Sequence, residues 1–152
     1  MMFGLQKQGV NMYAQMGLET GVLAASPNKL IIMLYEGAIS ACRGAIVHMR
    51  QQDIQKKSDM IGKAIMIIES GLRLSLDKKA GGEISASLDA LYMYMSNRLT
   101  IANIRNQPEM ITEVIQLLTD LKSAWEAIEK APQVSNVVSM AYANQQSSTV
   151  GI

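Results

Sequence analysis

The sequence predicts an all-α fold: an antiparallel up-down four-helix bundle with a short N-terminal helical or irregular cap segment. Three observations carry that expectation. No segment alternates apolar and polar residues with period two, whereas four segments repeat with a period near 3.6. The breaks between those four are short, so consecutive helices must turn back on one another. Apolar residues make up 49% of the 152, enough for one core in one domain.

The elements follow in order. Residues 1–25 are expected to form a mobile N-terminal segment, interrupted by glycines at 4, 9, 17 and 21, in which Met12, Tyr13 and Met16 suggest a short, weak helix. Ser26 is a good N-cap, and Pro27 stands at the first helical position, where its missing N–H costs nothing. The first helix runs from there to about Met49. Asp53 caps a second, reaching about Asp77 before the Lys78-Lys79-Ala80-Gly81-Gly82 stop. A third spans about Ile84 to Arg105. Asn106-Gln107-Pro108 stops it and starts a fourth, which runs to about Lys130 and is ended by Pro132. The bundle therefore covers residues 26–131, and 132–152, rich in Gln, Ser, Asn and Val, are expected to be mostly unordered. Val137-Val138 is the one faint structural hint there.

Placing each helix on a 100° wheel divides its core face from the remainder. In the first helix Ile31, Leu34, Ala38, Cys42, Ala45 and Met49 form the core stripe, flanked by Ile32, Ile39 and Ile46. Its apolar arc covers about 200°, where roughly 100° suffices for a surface helix. The second helix has Ile54, Ile61, Ile65, Ile68 and Leu72 inward, with Met60, Ile67 and Leu74 on nearly the opposite side. The third has Ile84, Leu88, Leu91, Met95, Leu99 and Ala102 inward, and Met93, Tyr94, Ile101 and Ile104 outward. The fourth is the control: Met110, Val114, Leu117, Leu121, Trp125 and Ile128 make one buried face, bordered by Ile111 and Ile115. Three helices are thus apolar on two sides. Such surplus surface usually receives a partner, and Ile, Met and Tyr at seven-residue spacing suit a helix laid in a groove. The same stripes would also serve structural homo-oligomerisation.

Other functions find little support. The net formal charge is +1, and the nearest basic cluster, Lys56-Lys57, is placed on a solvated face, so nucleic acid is not expected. No run approaches the ~18 apolar residues of a membrane span, so no membrane insertion is expected. No signal peptide is read. Cys42 is the single cysteine and falls on a core stripe, which excludes an intramolecular disulfide, makes a reactive thiolate improbable and fits a reducing cytosol. His48 is the single histidine, so His triads and two-His metal sites are unavailable. Gly81-Gly82 lacks the context of a phosphate loop. No catalytic residue, metal ligand or cofactor is expected.

The stretches "AASPNKLIIMLYEGAI", "KAIMIIESGLRLSLD", "GGEI", "LYMYMSNRLTIANIRN" and "AWEAI" resemble, in order and spacing, the flagellin-specific export chaperones of the FliS type. The similarity covers about Tyr13 to Pro132. It implies a cytoplasmic, non-enzymatic helical bundle, mainly monomeric, that holds the disordered C-terminal segment of one flagellin. It implies further that holding it prevents premature polymerisation and aids delivery to components of the flagellar export apparatus. Carried over residue by residue, the resemblance points to Tyr13, Tyr94, Asn103 and Arg105. Together with the apolar stripes, the expected partner surface is Tyr13, Ile32, Ile39, Met60, Ile67, Leu74, Met93, Tyr94, Ile101, Asn103, Ile104 and Arg105.

Overall fold

The structure, a computed structural model, describes residues 26–130. The expectations for the N-terminal segment, for Tyr13 and for the C-terminal tail lie outside the described residues. Those described contain four helices and no strand. Helix α1 spans Pro27–Arg50, and α2 spans Ile54–Met66 and runs on into a π-helical segment, Ile67–Arg73. Helix α3 spans Lys78–Arg105 and α4 spans Pro108–Lys130.

The helix ends are local chemistry. The Ser26 hydroxyl accepts the Lys29 N–H at 3.2 Å, and Asp53 accepts that of Lys56 at 3.2 Å. Asp77 accepts from both Lys79 and Ala80 at 3.1 Å, so α3 begins about six residues earlier than the sequence suggests. Each cap satisfies donors that the first turn leaves open. Gly82 then takes φ 53°, ψ −124°, which kinks the chain before the long run to Arg105. That combination is open only to glycine. Asn106 stops α3 in the left-handed conformation, φ 52° and ψ 50°.

Helix α1 packs chiefly on α2 and α4, and α3 closes the square against the same two. The core runs along the shared axis: Leu34, Ala38, Cys42 and Ala45 from α1, Ile61, Ala64, Ile68 and Leu72 from the second arm, Met95, Leu99 and Ala102 from α3, and Ile111, Val114 and Leu118 from α4. Two tyrosines, Tyr35 and Tyr92, are buried with them, their hydroxyls hydrogen-bonded to each other. Trp125 packs against the same core. By length and composition alone helix α1 could cross a membrane. More than half of its most apolar stretch is buried inside the bundle, so its surplus is explained by its place between two neighbours.

Several inward assignments shift. Ile54, Ile84 and Ile128, expected in the core, are 70%, 73% and 50% exposed, because each lies near a helix end beyond the reach of the opposing helices. On α4 the innermost line is Ile111–Val114–Leu118, one step round from the expected one. Lys57, expected on a solvated face, is 4% exposed. Its ammonium donates to the Asn103 carbonyl at 3.0 Å and to Asn106 Oδ1 at 2.6 Å. A cation at a helix C-terminus meets the negative end of the macrodipole and open carbonyls, which offsets its desolvation.

Candidate functional site

The outward face of α3 is an apolar surface that the bundle leaves to solvent. Met93 is 44% exposed, Tyr94 42% and Ile104 76%, with Ile101 partly buried between them. Their spacing follows from a helix whose inner seam is Ser85, Tyr92, Met95, Leu99 and Ala102. Residues one position before or after that seam are turned outward or sideways. With Met95 and Leu99 at the seam and Met93 and Ile104 outside it, rotating the helix would only exchange one exposed apolar face for another.

Polar contacts hold this face at both ends. The Tyr94 hydroxyl donates to Glu113 on α4, and Arg98 Nε donates to the other oxygen of that carboxylate at 2.8 Å. The Arg98 guanidinium lies 5.8 Å from the Tyr94 ring centroid, within cation–π range. Tyr94's hydrogen bond, reinforced by the Arg98 charge, holds the Glu113 carboxyl below its ordinary pKa. The same bond to Glu113 holds the Tyr94 phenol above its own. A ring fixed at its hydroxyl and stacked by a cation presents its free face with little rotamer entropy left to lose on binding. Toward the other end, Ser58 Oγ donates to Asn103 Oδ1 at 3.2 Å beside the Lys57 contacts. Asn103 is therefore engaged within the chain, through both its carbonyl and its side chain, while Arg105 is exposed.

The remaining expected residues do not join this face. Ile32, Ile39 and Ile67 are only 6%, 5% and 2% exposed, so the expectation that they form open ridges is corrected. For Ile39 the cause is the closeness of α1 to both α2 and α4, which buries its flank along with its core stripe. For Ile67 the cause is the π-helical segment. Its wider turn advances less than 100° per residue, so Ile67, Ile68, Gly71 and Leu72 all face inward. A straight wheel cannot show that. Met60 is partly buried against the core and lies over Gly44, where an added Cβ would stand 3.0 Å from its sulfur. Leu74, just past the π-helical turn, is partly buried as well.

Sequence reasoning missed the charged supports. Arg98 follows Tyr94 by four residues, a spacing that could have paired them. Glu113 and Ser58 sit on other helices and carry no local signal. A further network, Arg73 to Glu69 at 2.7 Å and to Asp89 at 2.6 Å, with Ser96 donating to Glu69 at 2.8 Å, fastens the π-helical segment to α3. No cluster of three or more metal-ligating side chains occurs among the described residues. The arrangement offers apolar contact and hydrogen bonds, the means of a binding surface.

Comparison with known proteins agrees with that character. The family model described as "Flagellar protein FliS" matches residues 9–132. The flagellar secretion chaperone FliS of Salmonella typhimurium is 44% identical over 120 residues, 79% of this chain and 89% of that protein. FliS of Escherichia coli is 39% identical over 127 residues, covering 84% and 93%. FliSB of Pseudomonas aeruginosa, also a flagellar secretion chaperone, is 40% identical over 121 residues, covering 80% and 95%. A match over most of the chain, to relatives that are chaperones and not enzymes, fits an apolar face steadied by hydrogen bonds: the chain belongs to the FliS family of flagellar secretion chaperones.

Proposed function

We propose that this chaperone binds the disordered C-terminal segment of flagellin in the cytosol, through the outward face of α3. Holding that segment keeps flagellin from polymerising early and delivers it in export-competent form to the flagellar secretion apparatus. The observation that carries this reading is the exposure of Met93, Tyr94 and Ile104 on one helix of a bundle whose core is already complete. Seating an Ile- or Leu-sized side chain contributes about 1.5–3 kcal/mol, so three or four anchors outweigh the roughly 2–5 kcal/mol needed to order a disordered client. Met93 adapts to imperfectly matched side chains, and no nucleotide is required. Binding and release are equilibrium exchange.

Co-purification with full-length flagellin and with flagellin lacking its C-terminal segment is the test. Capture is expected with the first and not with the second. In the same assay Ile104→Asp with Met93→Asp weakens capture at least tenfold, about 1.4 kcal/mol or more, and leaves the melting temperature within a few degrees. Equal capture of both flagellins, or by the variant, would overturn the assignment. Growth of the particle with protein concentration in light scattering, lost in that variant, would instead make the face a homo-oligomer contact.

A further inference from the structure

A second apolar feature lies at the end of the bundle where α1 starts and α4 finishes. Ile31, Leu72, Leu76, Leu88, Tyr92 and Trp125 line a cleft of about 420 Å³ there, and behind it the Tyr92 hydroxyl is hydrogen-bonded to that of Tyr35. It is distinct from the outward face of α3. Tyr92 points into the bundle where the neighbouring Met93 and Tyr94 point to solvent, and Ile104 lies twelve residues beyond Tyr92, about 18 Å along the axis. The Ser26 hydroxyl donates to the Glu129 carboxylate at 3.2 Å, so the end of α4 is held beside the start of α1, at the mouth of the cleft.

We propose that residues 133–152 of this same chain dock in that cleft, with the Val134–Tyr142 stretch as the apolar insert. Three observations point to this occupant. Trp125 lines the cleft, and Ile128, on the same face of α4 one turn later, is 50% exposed, so an apolar path leads from the cleft to the end of the helix. Residues 131–152 contain no Asp, Glu, Lys or Arg, yet carry Val134, Val137, Val138, Met140 and Tyr142. Residues 1–25, by contrast, carry Lys7 and Glu19 and are broken by four glycines. The family match stops at residue 132, so this segment is an addition to a bundle whose core is already closed. Reach is not limiting: seven residues from Lys130 to Val137 span up to about 24 Å when extended.

Trp125 is the only tryptophan, which makes it a specific reporter in the full-length chain. Acrylamide quenching of its fluorescence is expected to rise at least twofold in the Val137→Asp, Val138→Asp double variant. A control carrying Ser147→Asp and Ser148→Asp leaves quenching unchanged, and both melt with the parent. Unchanged quenching in the double variant overturns the proposal. So does a rise produced only by Leu18→Asp with Leu23→Asp, which would make the N-terminal segment the occupant. Quenching that rises in the parent protein simply on dilution would overturn it too, in favour of a second copy. Flagellin is absent from the experiment, so its result stands apart from the client reading.

Discussion

Lys57 and Lys56 are neighbours of the same chemistry with opposite fates. Lys56 is exposed, its ammonium 3.9 Å from Asp53, a pairing of little consequence in water. Lys57 is buried and bridges the second arm of the bundle to the last turn of α3. Replacing Lys57 by Met keeps the aliphatic stem and removes the donor, leaving the Asn103 carbonyl and the Asn106 amide oxygen short of a partner. Lys57→Met is therefore expected to lower unfolding free energy by about 1–3 kcal/mol, read as a lower urea midpoint, whereas Lys56→Met changes it by less than about 0.5 kcal/mol. Because the bridge reaches Asn103 and Asn106 on either side of Ile104, loosening it also frees one end of the outward face of α3. Nothing in the Lys56-Lys57 dipeptide distinguishes the two residues. The choice is made by Asn103 and Asn106, more than forty residues away.

At the level of elements, two irregularities shape the surface. The π-helical segment turns Ile67 into the core, and the Gly82 kink separates a short capped turn from the long helix that bears the exposed face. Glycines on the same pair of helices should respond in opposite senses. Gly82→Ala forces a side chain into φ 53°, ψ −124° and is expected to cost about 1–3 kcal/mol. Gly62→Ala, in regular helix with nothing within 4 Å of the added methyl, is expected to stabilise by roughly 0.5–1 kcal/mol. Thermal melts of the two variants check the contrast, and equal shifts would mean that Gly82 is not held at the kink. The capping residues Ser26, Asp53 and Asp77 were legible because caps are local chemistry. The π-helical turn was not, since it exists only where Arg73, Glu69, Asp89 and Ser96 tie that segment to α3.

For the whole molecule, the buried titratable groups set how stability responds to pH. Burial pushes the Cys42 thiol up to about 12 and raises both Tyr35 and Tyr92 above the ordinary phenol value. Each of these groups is neutral when protonated, and the unfolded chain gives up its protons at lower pH than the native one. Their contribution is thus complete below about pH 8.5, the ordinary thiol value, and declines as pH rises through the ordinary phenol value near 10 toward the folded values. The melting temperature is expected to be flat from pH 7 to 8 and to fall between pH 9 and 11, with Cys42→Ala removing the earliest part of that fall. The sequence by itself determined the four helices, their caps, their antiparallel order and the outward placement of Met93, Tyr94 and Ile104, because periodicity and capping act within a few turns of one chain. Only the tertiary structure decided that Ile32, Ile39 and Ile67 are interior and that Lys57 is buried. It also set Glu113 and Arg98 on Tyr94 and opened a cleft beside Trp125. Each of those outcomes depends on how near a second helix comes and at what rotation, and no single helix carries that information.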